Sequence, residues 1–332
     1  MSATVLRPPT PSPPPRRRRG RRLLGVLLVV GLAVGGLYGL RALLGAPWPL
    51  PLVERCVAAA AGETATVSLE QARNAATIAA VAQQRGLPAR AVTIALATAL
   101  QESKLENIGY GHLDSLGLFQ QRPSQGWGTP EQVMDPVYAA GQFYDQLVKV
   151  PGYTDLPITQ AAQAVQRSAF PAAYAEHEAR ARVLASALSG WSPGSLSCTV
   201  RHGPYPLEVA DASGFTPRAQ QVAAELRTWF GADTPISTYR TAAGTSTHDQ
   251  GTALDVFFPM DNGAGGREGW AAAHWLVANA DRLGVAVVIY DDKIWSARRG
   301  AEGWRAYTHP SGSTSATDRH LDHVHVDVVA GS

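Results

Sequence analysis

Three side chains able to ligate a metal stand at a telling spacing in this chain. His248-Asp-Gln-Gly251-Thr-Ala253-Leu-Asp255 supplies an imidazole and a carboxylate, and Asp322-His323-Val-His325 follows some seventy residues later. A catalytic zinc site takes three His, Asp or Glu ligands and leaves the fourth tetrahedral position to a water, whose pKa falls to about 7. His248, Asp255 and His325 are read as that ligand set, with Zn2+ as the cofactor and hydrolysis as the chemistry. The elements that must position them are legible too. Asp255 opens Val256-Phe257-Phe258, and His323 to Val329 alternates polar and β-branched residues, so both segments are predicted strands. In the second, His323, His325 and Asp327 share one face while Val324, Val326 and Val328 take the other. Gly251 and Ala253 are small enough to let the intervening loop turn back on itself.

The pattern H-x-x-G-x-A-x-D with a later H-x-H resembles the LAS metallopeptidases, the group of lysostaphin, the D-alanyl-D-alanine peptidases and the hedgehog signalling domain, over roughly the last 120 residues. The resemblance implies that His248, Asp255 and His325 hold zinc. It puts Asp322 where the D-alanyl peptidases carry their general base, and Arg240 where an upstream arginine polarises the substrate carbonyl. His323 is the alternative, because in lysostaphin-like members the first His of H-x-H is an active-site group and not a ligand. In a strict strand Asp322 faces away from His325, so the assignment to Asp322 requires the strand to begin at His323. Ser246 is a substrate-binding candidate, whereas His309 and His320 in a Gly/Ser/Thr-rich loop and His274 beside Trp275 are read as surface or packing residues.

A second candidate centre precedes this one. Ser68-Leu-Glu-Gln71 is a capping box opening a helix that Gly86 closes, and Pro88 suits the start of the next. On that next helix Ala91, Ala95, Thr98, Ala99 and Glu102 follow a three-four spacing, which sets one carboxyl over an apolar stripe in the last turn. Burial and the negative helix end both disfavour its charged form, as a general acid requires. Gln101-Glu102-Ser103, then Asp114-Ser115-Leu-Gly117-Leu118-Phe119-Gln120-Gln121 and Gln125-Gly-Trp127, resemble the lysozyme-like lytic transglycosylases. By that resemblance Glu102 is the sole catalytic acid and base, Ser103 and Gln120 lie in the glycan groove, and the sugar supplies its own nucleophile in place of a second carboxylate. Trp127 and Tyr174 are either sugar-stacking faces or core. The segment from Ala164 to Tyr174 departs from the family's usual A-Y-N-x-G.

Six arginines between Arg16 and Arg22 precede an apolar run from Leu23 to Leu44 broken only by Arg41. The expectation is a cytoplasmic basic, proline-rich tail (1–22), one transmembrane helix (23–44) and an extracellular remainder. The net charge of +2 hides an asymmetry: beyond residue 41 there are 21 bases against 27 acids, which is not the footprint of a nucleic-acid binder. An oxidising exterior makes a bridge between Cys56 and Cys198 the expectation. The whole is read as an all-α lysozyme-like domain (57–191), a turn-rich linker (192–214) and an α+β domain with a small, mainly antiparallel sheet (215–332). The function expected is a membrane-anchored bifunctional peptidoglycan hydrolase acting on glycan strands and stem peptides; the alternative is a wall-binding scaffold or localisation protein with one or both sites degenerate.

Overall fold

The computed structural model describes residues 53–168, 170–237, 245–263 and 265–331. Strand β1 (Arg55–Ala60) and strand β2 (Glu63–Val67) form a hairpin whose two turn residues, Ala61 and Gly62, both have positive φ (51° and 80°). That is the backbone a two-residue hairpin turn demands. Strand β3 (Leu196–Thr199) pairs with the other edge of β1, so that Cys56 stands directly opposite Cys198 and the two are joined by a disulfide. This three-stranded antiparallel sheet corrects the expectation of an all-α first half. Val57-Ala-Ala-Ala-Ala61 has the composition of a helix. Its strand conformation comes from a partner 142 residues away, which no local pattern announces.

Helices α1 (Leu69–Gln84), α2 (Ala89–Ser103), α3 (Pro130–Val133), α4 (Pro136–Leu147), α5 (Ile158–Gln166) and α6 (Glu178–Leu188) follow β2. Ser68 caps α1 through a reciprocal box with Gln71. Every residue of α2 from Ala91 to Leu100 is buried, as befits a helix apolar on all sides. It is the axis of this half and carries Glu102 in its last turn.

Thr216 caps α7 (Pro217–Phe230), which has Pro217 at its first position. There follow β4 (Ile236–Ser237), β5 (Ala253–Phe257), α8 (Arg267–Ala278), α9 (Ala280–Leu283), β6 (Val285–Tyr290), β7 (Lys293–Ser296), β8 (Arg305–Ala306) and β9 (His323–Val328). The strands form one sheet in the order β4-β5-β9-β6-β7-β8, every pairing antiparallel. β9 lies between β5 and β6. Leu254, Val256, Val324, Val326 and Val328 are buried on one face, and α8 packs against β6 and β9.

The segment expected to be a linker contains β3, and Val53–Ser332 form a single compact unit. Buried His274 on α8 bonds through Nδ1 to Ala187 O on α6 at 2.7 Å, and Trp304 Nε1 donates to Leu196 O at 2.8 Å. A Cβ at Gly190 would lie 1.9 Å from Arg267 O, so the chain after α6 and the start of α8 approach backbone to backbone, with no room for a side chain at Gly190. No helix among the described residues is long and apolar enough to cross a membrane. This corrects the expected single-pass architecture and membrane location; the run from Leu23 to Leu44 on which they rested lies outside the described residues.

Candidate metal centre and candidate glycan site

Antiparallel pairing brings the three candidate metal ligands together. Asp255 on β5 stands opposite His325 on β9, with Ala253 opposite Asp327 and Phe257 opposite His323 on the same face. His248 arrives from the turn before β5, where Gly251 has φ +70° and a Cβ would meet Gly214 O at 2.5 Å. Only glycine satisfies both constraints at that position. The result is a triangle of atoms: His248 Nε2 to His325 Nδ1 at 3.2 Å, His325 Nδ1 to Asp255 Oδ1 at 3.0 Å, and His248 Nε2 to Asp255 Oδ1 at 3.3 Å. All three residues are buried.

These edges test whether the residues fit zinc. Bonds of roughly 2.0–2.1 Å in tetrahedral array place ligand atoms about 3.3 Å apart, and the triangle is within a few tenths of that. The donor set, two imidazole nitrogens and one carboxylate oxygen, is that of a catalytic site. The charge balance agrees. Burial alone lowers the pKa of His325, but bonds to Asp255 and to Asp327 (Nε2 to Oδ1, 3.0 Å) outweigh it and push it up to about 9. Burial raises Asp255, and the bonds from His248 and His325 reverse this, holding it far below the usual carboxylate range. The pocket therefore favours positive charge at the centre of the triangle, which a divalent cation supplies as well as a proton does.

Residues of the same face surround the triangle. β9 begins at His323, as a role for Asp322 requires. Asp322 Oδ1 bonds to His323 Nδ1 at 2.8 Å, and Thr317 donates to Asp322 Oδ2 at 2.9 Å. His323, 1% exposed, has its Nε2 3.5 Å from Asp255 Oδ1 and without a hydrogen-bond partner among the described residues. Asp322 thus touches the triangle through His323. His325 is held from outside by Asp327, a residue placed on the correct face by strand alternation yet given no role. His320, expected to be a surface or packing residue, is buried, its ring 4.7 Å from that of His323 and 5.6 Å from that of His325. Its backbone is left-handed, with φ 55°, and no strand or helix spacing in the sequence marked it. Ser246 is exposed and bonded to Asp249 at 2.6 Å, in the turn that delivers His248. Arg240 lies outside the described residues.

Residues 211–321 match the family model described as VldE, C-terminal domain. The match contains His248 and Asp255 and stops just short of β9. It names neither a LAS metallopeptidase nor a lytic transglycosylase, so those two resemblances rest on the quoted residues. No curated protein matches the chain.

Glu102, half-buried in the last turn of α2, accepts a 2.8 Å hydrogen bond from Tyr174 at Oε1. Burial raises its pKa, against the lowering effect of the bonds from Tyr174 and Gln166. Tyr174 is fully buried, which makes it a support for Glu102 and not a sugar platform. Gln166, in the segment that departs from the transglycosylase pattern, also donates to Phe119 O at 2.7 Å. Ser103 is buried, its hydroxyl donating to Ala99 O and Leu118 O, so it ties α2 to the next segment. Gln120 donates to Tyr110 O and Gly117 O at 3.2 and 3.3 Å, shaping the loop. Trp127 packs half-buried against the core.

Proposed function

We propose that this chain is a bifunctional peptidoglycan hydrolase, cutting stem peptides at the His248, Asp255, His325 centre with zinc and glycan strands at Glu102. The convergence of those three ligand atoms to 3.0–3.3 Å carries the proposal. Bound Zn2+ would supply Lewis-acid chemistry, activating a water and polarising the scissile carbonyl. The chain's own residues do the rest. Asp327 fixes the tautomer and orientation of His325. His323 Nε2, facing Asp255, accepts the proton from the attacking water and returns it to the leaving amine. Asp322 holds His323 Nδ1–H and stabilises the imidazolium, and Thr317 holds Asp322. This divides the general-base role between two residues that compete for it in the sequence. At the other site burial favours the protonated form of Glu102, the form that would give its proton to the glycosidic oxygen, while Tyr174 and Gln166 orient the carboxyl.

Digestion of one defined muropeptide and glycan-strand preparation, read by product mass with and without chelator, tests both halves. Peptide cleavage should require zinc and vanish in His248→Ala; glycan cleavage should resist chelation and vanish in Glu102→Gln. Zinc bound at one equivalent with no product of either kind would overturn the enzyme reading in favour of a binding scaffold.

A further inference from the structure

Away from both centres, two clefts of about 690 and 480 Å³ meet along a shared wall formed by Ala89, Arg90 and Trp191. Trp191 is 60% exposed, although an indole of this size is ordinarily well covered. The Arg267 guanidinium lies 4.4 Å from its ring centroid, covering one face, and the exposure leaves the remainder open to solvent. Gln83, Ser189 and Glu268 add hydrogen-bonding groups to the larger cleft, and Thr93, Ser186 and Glu63 to the smaller. An open aromatic face beside polar groups suits a pyranose: its axial C–H bonds rest on the electron-rich ring while its hydroxyls bond at the edges.

Charge narrows the ligand further. Arg90, Arg182 and Arg267 line the clefts against Glu63 and Glu268, a reversal of the acid excess beyond residue 41. Arg182 is paired with Glu178, and Arg90 donates from Nη2 to Leu156 O, but neither Arg90 nor Arg267 forms an ion pair with a carboxylate among the described residues. A guanidinium without a carboxylate partner beside an open indole is arranged to receive an anionic group on a sugar.

From this arrangement we infer a second saccharide-binding site, distinct from the Glu102 groove, that stacks one sugar on Trp191 and takes a carboxylate or phosphate borne by the strand at Arg90 and Arg267. It concerns binding only, so it stands or falls apart from either cleavage reaction.

The test uses the full chain carrying Glu102→Gln, so that no probe is cut. Hydrogen exchange and calorimetry are run with a peptide-free tetrasaccharide of alternating N-acetylglucosamine and N-acetylmuramic acid, with neutral chitotetraose, with a glycerol phosphate oligomer and with inorganic phosphate. The muramic tetrasaccharide should slow exchange in peptides covering residues 83–93, 189–191 and 267–268. Adding Trp191→Ala should weaken that binding at least tenfold, Trp191→Phe should largely keep it, and Arg267→Gln should remove most of the preference over chitotetraose. Protection by the glycerol phosphate oligomer and not by the muramic tetrasaccharide would overturn the inference, because that oligomer carries no sugar to stack. Protection confined to the loops around Glu102 and Gln120, or identical binding by Trp191→Ala chain with an unchanged melting temperature, would overturn the inference.

Discussion

At the scale of single residues, the two centres make different demands on their supports. His248→Ala removes one corner of the triangle and leaves Asp255 and His325 buried together. Zinc affinity should fall by a hundredfold or more, read by competition with a chromophoric chelator, and peptide cleavage should go with it. Asp327→Asn tests orientation separately: zinc should still bind, about 10–100-fold more weakly, because His325 keeps its ligand atom and loses the carboxylate that holds its Nε2–H. For Glu102 the sign of the pH effect is fixed by its partners. Burial raises its pKa and the Tyr174 bond lowers it, so Tyr174→Phe should raise it further. A general acid works below its pKa, hence the alkaline limb of the glycan-cleavage profile should move to higher pH in Tyr174→Phe. A shift to lower pH would refute the assignment of Tyr174 as a donor to the ionised form.

At the scale of elements, the positions that matter are those where backbone geometry leaves no alternative. Gly251→Ala puts a Cβ 2.5 Å from Gly214 O at φ +70°. The variant should lose about 1–3 kcal/mol in urea denaturation, and its zinc affinity should drop because the turn that delivers His248 must shift. The Cys56–Cys198 bridge closes a loop of 142 residues and staples β1 to β3. The loop-entropy relation gives about 5 kcal/mol for such a closure, an upper figure when the reduced chain retains structure. Cys198→Ser should therefore melt well below the parent in non-reducing buffer, and the two should converge when the parent is reduced.

At the scale of the whole molecule, the helical half and the sheet half act as one unit, and His274 reports on their union. It is fully buried, gives its Nδ1–H to Ala187 O, and receives Leu196 N–H at Nε2 at the long distance of 3.5 Å, a pattern only the neutral ring can make. Burial depresses its pKa to about 4. Between pH 6.5 and 4 the unfolded chain binds a proton at this residue that the folded chain refuses, so stability contributed here is complete above about pH 6.5 and is lost as pH falls toward 4. The shift corresponds to roughly 3 kcal/mol at most. His274→Gln should flatten that part of the dependence of melting temperature on pH; an unchanged slope would assign the acid sensitivity elsewhere.

The faces of β5 and β9, the capping box at Ser68 and the partial burial of Glu102 were legible in the sequence because each depends on spacing within a few residues, where helix and strand periods fix which side chains meet. Tertiary structure alone decided the rest. The Ala-rich β1 is a strand because β3 pairs with it across 142 residues. His320, in a loop with no helix or strand period, is buried with its ring beside that of His323. Asp322 reaches the triangle of His248, Asp255 and His325 through His323. Gln166 and Tyr174 hold Glu102 from a segment that looked out of pattern. Each of these depends on contacts between distant parts of the chain, whose closure is set by the packing of the whole and not by the preference of any residue for its neighbours.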